Sequence, residues 1–191
     1  MKLVFATNNI NKLSEIRALV SDDIQILSLK DINCTEELPE TNPTLKQNAL
    51  QKARYVFDNY GFNCFADDTG LEIDALAGEP GVYSARYAGK DSNSAANIQK
   101  VLKNLQGCVD RGAAFRTVIA LVIAGEENLF EGECMGDITK TQRGIYGFGY
   151  DPIFIPDSFN KTFSQMTKQE KGVISHRGKA VKKLLAFLYT N

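Results

Sequence analysis

The sequence predicts an α/β fold built on a mixed β-sheet, and two patterns along the chain favour this class. The chain opens with an apolar strand at 3–6, a polar turn at 7–11 and an amphipathic helix at 12–20. Later, two long β-rich runs at 113–124 and 129–139 are joined by a Gly-Glu-Glu-Asn turn, which is typical of an antiparallel hairpin. A strand-turn-helix unit combined with a hairpin indicates both parallel and antiparallel strands.

Further strands and helices follow from apolar periodicity and turn residues. Additional strands are predicted at 24–29, 64–66 and 153–155. One helix has Asn42 as its predicted N-cap and carries inward-facing residues as far as Tyr60. Another covers 95–105. The last begins after its candidate cap, Ser175, and carries its buried residues between Ala180 and Leu188. Helices therefore alternate with strands along much of the chain.

Composition and charge limit the classes of protein that the chain can be. Its 191 residues, of which 43% are hydrophobic, suffice for one compact domain or two closely joined lobes. The formal net charge is −1, so no global positive field exists to hold a nucleic-acid backbone. We therefore expect no nucleic-acid partner, and any polyanion that binds should be small.

The cysteines and the apolar segments predict a cytoplasmic protein. Cys34, Cys64, Cys108 and Cys134 are widely spaced without a C-x-x-C pair, and the only histidine is His176. This disfavours a zinc site and indicates reduced thiols. The amino-terminal apolar run is too short for a signal peptide, and no apolar segment reaches the length of a membrane span, so we expect no membrane partner.

The segment from Thr7 to Lys12 is the first candidate for binding a ligand. It joins a strand to the start of a helix, where unpaired backbone N–H groups and the positive end of the helix favour an anion. Lys12 would add a positive charge to a bound phosphate. The segment lacks the glycines and the Lys-Ser/Thr ending of a P-loop, so a polar turn with a surface lysine is the alternative.

Two adjacent carboxylates, Asp67 and Asp68, follow the predicted strand at 64–66. They repel one another unless solvent or a cation intervenes, and hard oxygen ligands beside a phosphate site suit Mg²⁺. Glu40, in the acidic loop before the second helix, is a further candidate ligand. A plain turn formed by the sequence Asp-Asp-Thr-Gly is the alternative interpretation.

Two later motifs carry side chains suited to a purine base. Phe148 offers a ring for stacking and Asp151 a carboxylate for ring N–H groups, in a loop whose glycines permit close approach. His176 and Arg177 begin the last predicted helix, where cations oppose the helix dipole, so a bound anion or electron-rich oxygen would explain them. Aromatic residues packed into the core and an exposed pair without function are the alternatives.

Five motifs occur in order over nearly the whole chain: T-x-N-x-x-K, A-D-D-T-G-L, P-G-V-Y-S-A-R-Y, F-G-Y-D-P and S-H-R-G. In this order the chain resembles the inosine triphosphate pyrophosphatase family of non-standard purine nucleotide pyrophosphatases. The resemblance implies a single domain, 1–191, with an elongated mixed β-sheet flanked by helices. It also implies two lobes with a central nucleotide cleft, and a homodimer.

The resemblance implies a role for each matching residue. Asp68 is the implied proton acceptor and binds Mg²⁺ together with Glu40. The implied nucleotide-binding residues are Thr7, Asn8, Asn9, Ile10, Asn11, Lys12, Lys52, Thr69, Phe148, Gly149, Tyr150, Asp151, Lys171, His176 and Arg177. One departure is visible, since Asn8 stands where many members of the family have glycine.

The predicted function is hydrolysis of deaminated purine nucleotides, such as ITP, dITP and XTP, to the monophosphate and pyrophosphate. Mg²⁺ and the lysines would offset the triphosphate charge while a water oriented by Asp68 attacks the α-phosphorus. Hypoxanthine and xanthine carry a carbonyl acceptor at the 6-position, which Arg177 can meet, whereas adenine carries an amino donor there.

Two other functions fit parts of the sequence. A pyrophosphatase of the Maf or dUTPase sort would share the metal chemistry but would accept a pyrimidine or another modified base. A non-catalytic nucleotide-binding module would bind the triphosphate without hydrolysing it. Glu40, Asp68 and Lys12 argue against the binding module, and only the motifs assigned to the base argue against the other pyrophosphatases.

Overall fold

Seven strands form one mixed β-sheet in the computed structural model, which describes residues 1–21, 23–90 and 92–190. The strands are β1 (Lys2–Phe5), β2 (Gln25–Leu27), β3 (Cys64–Ile73), β4 (Pro80–Gly81), β5 (Gly112–Ile123), β6 (Glu126–Ile138) and β7 (Phe154–Pro156). Their order is β2-β1-β3-β5-β6-β7, and β4 pairs with β3. β1 is parallel to β2 and β3, whereas β4 is antiparallel to β3 and β7 is antiparallel to β6. The predicted mixed sheet is confirmed.

The helices of the described residues are α1 (Ile10–Arg17), α2 (Leu45–Tyr60), α3 (Ser94–Asn104), α4 (Lys168–Ile174) and α5 (His176–Thr190). Short 3-10 helices cover Lys30–Ile32, Asp74–Leu76, Ser84–Arg86, Asp151–Ile153 and Phe163–Gln165. None of these described helices is long and apolar enough to cross a lipid bilayer.

The largest departure from the predicted elements concerns β3. The Asp-Asp-Thr-Gly sequence predicts a turn after 64–66, but the strand continues without interruption to Ile73. β4 pairs with the later part of β3, and a side chain on Gly70 would lie 2.6 Å from the carbonyl oxygen of Gly81. The turn prediction was therefore wrong, because a distant strand supplies hydrogen bonds that local sequence does not reveal.

Two helix starts also differ from the sequence prediction. The N-cap of α2 is Thr44, whose side chain accepts from the Gln47 backbone N–H, in place of the predicted Asn42. Helix α4 was not predicted because its seven residues are too few for a clear apolar period, although Thr167 and Glu170 form a capping box at its start. The hairpin of β5 and β6 and the final helix agree with the prediction.

The chain folds into two compact units. Unit 1 contains Met1–Asp68, Thr117–Gly132 and the segment from Arg177, and unit 2 contains Thr69–Arg116 and Glu133–His176. Unit 1 has two buried clusters. One includes residues of α2, and the other includes residues of α1 and α5. Unit 2 has a single buried cluster centred on Phe115, Phe154 and Phe163. The predicted two-lobed arrangement with a central cleft stays a prediction.

Candidate active site

The connection from β1 to α1 is held by its own side chains. Asn9 caps α1, with its Oδ1 accepting from the backbone N–H groups of Asn11 at 2.9 Å and Lys12 at 3.2 Å. The hydroxyl of Thr7 accepts from the backbone N–H of Asn9 at 3.2 Å. Asn8 and Ile10 are exposed. The predicted polar turn is confirmed, and Asn9 and Thr7 fix its backbone beside a helix N-terminus.

Strand β3 places its two adjacent carboxylates on opposite faces of the sheet, because successive side chains of a strand alternate. The neighbouring residues show the alternation directly. Phe65 packs in the cluster with residues of α1 and α5, whereas Cys64 and Ala66 pack in the cluster with residues of α2. Asp67 continues the side of Phe65, and Asp68 continues the side of Cys64 and Ala66. The repulsion expected between the two carboxylates is therefore reduced by the sheet itself.

The side chain of Asp67 is fully buried between two cations. Its Oδ1 accepts from Lys12 Nζ at 2.9 Å, and its Oδ2 accepts from Arg177 Nε at 3.0 Å. Burial alone would raise the pKa of the Asp67 carboxyl, but the charges of Lys12, Arg177 and Lys52 outweigh it and hold that pKa below its usual value. Arg177 is also paired with Glu15, whose Oε2 lies 2.6 Å from Nη1. Asp67 is thus ionised and paired on both oxygens.

The opposite face of β3 holds Asp68 in a second cluster. Lys52 Nζ lies 3.4 Å from Asp68 Oδ1 and is paired with Glu40, and Asn48 Nδ2 lies 3.3 Å from Asp68 Oδ2. Burial raises the pKa of the Asp68 carboxyl, and the nearby charges of Glu40 and Asp67 act in the same direction against the lysines. Asp68 is the more readily protonated of the two carboxylates, which is the property expected of a proton acceptor.

Glu40 and Asp68 meet at the ammonium group of Lys52, so two carboxylates converge on one cationic position. Mg²⁺ commonly takes one or two carboxylates and completes its octahedron with water and substrate phosphates, so this pair suits it. Among the described residues, no cluster of three or more His, Cys, Asp or Glu side chains is arranged to hold a metal. A magnesium ion bound by these two residues would therefore keep most of its coordination sphere for water and phosphate.

In unit 2, the loop at 147–151 brings together three predicted site residues. Lys171 Nζ lies 2.6 Å from Asp151 Oδ2 and 4.9 Å from the centre of the Phe148 ring. The backbone N–H of Phe148 also donates to Asp151 Oδ2, at 2.9 Å. A side chain on Gly147 would lie 2.1 Å from that same oxygen, so only glycine fits there. The carboxylate is thus fixed beside a partly exposed aromatic ring.

Two other predicted site residues lie inside the core of unit 2. Tyr150 packs in the buried cluster and donates its hydroxyl to the carbonyl oxygen of Ser84 at 2.8 Å. His176 is buried with its ring stacked on Phe115, at a centroid distance of 4.5 Å. Ser84 belongs to the P-G-V-Y-S-A-R-Y motif, and its own hydroxyl accepts from Leu71 N at 2.8 Å. Through its contact with Tyr150, that motif therefore stabilises the loop that carries Phe148 and Asp151.

Sequence reasoning missed Asn48 and Glu15 and grouped Asp67 with Asp68 as a carboxylate pair suited to Mg²⁺, whereas Asp67 is paired with Lys12 and Arg177. Asn48 and Glu15 are ordinary helix residues by sequence, and only the fold shows that they contact Asp68 and Arg177. The signal that could have separated Asp67 from Asp68 is the two-residue period of a strand, but it was hidden by the turn prediction.

The buried pair of Lys171 and Asp151 gives a stability prediction. Lys171→Met should lower the free energy of unfolding by about 3–5 kcal/mol, because it leaves the Asp151 carboxylate buried without its cation. Urea denaturation measures the change, with Lys168→Met, at an exposed position of the same helix, as the control. Adding Asp151→Asn to Lys171→Met should recover part of the loss. Equal free energies of unfolding for the two lysine variants would contradict the prediction.

The fold and the site together define a class of protein. It is an α/β protein in which two carboxylates suited to a metal ion, Glu40 and Asp68, surround a buried lysine, and such groups suit phosphoryl chemistry. The model of the Ham1 family matches residues 3–187, and the chain belongs to that family. The resemblance seen in the motifs is thereby confirmed.

Proteins named dITP/XTP pyrophosphatase are similar in sequence to this chain over nearly their whole length. The one from Flavobacterium johnsoniae is 54% identical over 98% of both chains. The one from Christiangramia forsetii is 55% identical over 98% of this chain and 99% of its own. The structure of a HAM1 protein from Coxiella burnetii superposes with a TM-score of 0.90 at 38% identity and covers 100% of both chains. The predicted fold class is confirmed.

Proposed function

We propose that this protein is a nucleoside triphosphate pyrophosphatase that hydrolyses dITP, ITP and XTP to the monophosphate and pyrophosphate. The observation that carries the proposal is the cluster of Asp68, Glu40 and Lys52 on one face of β3. The choice of substrates is supported by relatives named dITP/XTP pyrophosphatase, which this chain matches over nearly their whole length. A cytoplasmic homodimer completes the proposal: the homodimer rests on the family resemblance, and the cytoplasmic location rests on the four cysteines, which form no disulfide.

The phosphate-binding residues are proposed in unit 1. The backbone from Thr7 to Lys12 turns at a helix N-terminus, where the positive end of the helix dipole favours the triphosphate. Burial lowers the pKa of Lys12, but Asp67 opposes that effect and favours the charged ammonium. Lys52 is the second proposed phosphate contact. These cations offset charge on a substrate that carries several negative groups close together.

Glu40 and Asp68 are the proposed ligands of Mg²⁺. A bound magnesium ion supplies positive charge that stabilises the phosphates during displacement. Asp68 is also the proposed acceptor of the proton of the attacking water, since its carboxylate lies beside the position proposed for the metal. The water's oxygen attacks the α-phosphorus, the bond to the bridging oxygen breaks, and pyrophosphate leaves. Asn48 keeps the Asp68 carboxylate in orientation by donating to Oδ2.

The proposed base-binding residues are those that the sequence motifs assign to the base. In unit 2, the partly exposed ring of Phe148 stacks on the purine, and Asp151 and Lys171 keep that ring in place. In unit 1, Arg177 is the proposed donor to the 6-carbonyl that hypoxanthine and xanthine share. Thr69, Gly149, Tyr150 and His176 stay predicted substrate-binding residues. The burial of Tyr150 and His176 favours indirect roles in shaping the pocket.

A substrate panel tests the proposed function. Pyrophosphate release is measured from ITP, dITP, XTP, GTP, ATP, dUTP and TTP in the presence of Mg²⁺. We expect kcat/KM for ITP, dITP and XTP to exceed that for ATP by about 10²- to 10⁴-fold. The 6-amino group of adenine is a hydrogen-bond donor, and it would face the protein donors that bind the 6-carbonyl of the other bases.

The other outcomes identify the other functions. Efficient release from dUTP or TTP would indicate a pyrophosphatase for pyrimidine nucleotides. Tight binding of Mg²⁺-ITP without release of pyrophosphate would indicate a non-catalytic nucleotide-binding module.

A further inference from the structure

Asp67 connects three cations that come from three different helices. Its carboxylate accepts from Lys12 of α1 and Arg177 of α5, at 2.9 and 3.0 Å. Its backbone carbonyl oxygen accepts from Lys52 Nζ of α2 at 2.8 Å. Because the side chain is fully buried, neither solvent nor dissolved ions replace these partners. A single residue of the central strand therefore contacts all three positive groups.

We propose that Asp67 is a positioning residue of the hydrolysis, which fixes Lys12 and Arg177 in the arrangement that binds the nucleotide. This inference rests on the proposed function. Asp67 touches neither substrate nor metal in this role, since it lies on the face of β3 opposite Asp68. It acts through the two side chains that its oxygens hold.

The reason for such a residue is the freedom of a lysine side chain. Lys12 has four rotatable bonds, and an ammonium group that samples many positions stabilises a phosphate poorly. The contact with Asp67 Oδ1 removes that freedom before the substrate arrives. The negative charge of Asp67 also offsets part of the repulsion between Lys12 and Arg177, which are both paired with this carboxylate.

The geometry argues against a role in stability alone. A buried ion pair is often no more stabilising than apolar residues of the same volume. Here the partners of Asp67 are two of the side chains proposed to bind the nucleotide. Glu15 adds a second carboxylate on Arg177, at 2.6 Å from Nη1, so that the guanidinium is held from two sides. An arrangement that restrains both functional cations is expected where their positions affect the reaction rate.

The test is a set of double-mutant cycles on kcat/KM for ITP. Asp67→Asn keeps the shape of the side chain and removes its charge. We expect kcat/KM to fall by about 10- to 100-fold, as it does when a residue that orients a functional side chain is replaced. In a Lys12→Met or an Arg177→Met background the same change should cost at least about fivefold less, because one of its two partners is already missing. Glu127→Gln, in an exposed ion pair with Arg54, is the control background, where the loss should be unchanged.

Each other outcome overturns a different claim. Wild-type kcat/KM in Asp67→Asn, or equal losses in all backgrounds, would refute the positioning role while leaving the proposed function intact. If wild-type protein releases no pyrophosphate from any nucleotide, the proposed function fails first and the inference fails with it. If Asp67→Asn does not fold, Asp67→Glu keeps the charge but displaces the carboxylate by one methylene. Wild-type kcat/KM in that variant would equally refute the inference.

Discussion

Asp68→Asn should lower kcat for ITP hydrolysis by about 10²- to 10⁴-fold, the range that a positioned acid-base group supplies. Asparagine has the same shape and preserves a contact with Asn48, so the fold around β3 should persist. It has no carboxylate to accept the proton of the attacking water, and it removes half of the charge that Glu40 and Asp68 present together. Loss of rate with retained binding of ITP is therefore the expected pattern.

Single-turnover release of pyrophosphate and calorimetric binding of ITP measure the two effects separately. Asp58→Asn, at an exposed position of helix α2, is the matched control and should retain full activity. If Asp68→Asn kept more than a tenth of the wild-type kcat, another group would have to be the proton acceptor. If Asp68→Asn instead lost both activity and all binding of ITP in the presence of Mg²⁺, Asp68 would act chiefly as a ligand of the metal.

Removal of divalent metal should reduce activity to the background rate. In the proposed site the triphosphate would approach Glu40 and Asp68, two carboxylates that repel it. Lys12 and Lys52 are already paired with protein carboxylates. Without a divalent ion, the developing charge on pyrophosphate would be left without most of its stabilisation. We expect EDTA to abolish pyrophosphate release and excess Mg²⁺ to restore it.

The control for chelation is EDTA that has been saturated with Mg²⁺ before addition, which should leave the rate unchanged. Glu40→Gln should raise the Mg²⁺ concentration needed for half-maximal rate, because one of two carboxylate ligands is lost. A rate in EDTA equal to the rate in Mg²⁺ would rule out the metal role of both carboxylates.

The sequence predicts the parts of the fold that depend on local patterns. The opening strand and helix and the hairpin of β5 and β6 are recognisable from apolar periodicity and a turn of suitable residues. The continuation of β3 is not, because Asp-Asp-Thr-Gly has the composition of a turn and is held extended by partner strands. Gly70 illustrates the cause, since its close neighbour Gly81 belongs to another strand.

The candidate site shows the same division. Motifs pointed to Lys12, Asp68 and Asp151, because their residue types suit phosphate, metal and base. They could not pair each cation with its carboxylate. Lys12 is 55 residues from Asp67, and Arg177 is 110 residues from it, so these contacts arise only when the sheet assembles. Whether an aromatic residue of a motif, such as Tyr150, faces a ligand or the core is likewise decided by packing. Burial shows this, and residue type does not.

The contact of Lys52 with Glu40 and Asp68 has a consequence for assembly. Its ammonium is a counter-ion that belongs to the chain itself, so it offsets one of the two negative charges as soon as helix α2 packs on strand β3. Structural zinc modules differ in this respect, because they fold only when their ion is present. We therefore expect this chain to fold without a dissolved cation and to need the proposed Mg²⁺ only for hydrolysis.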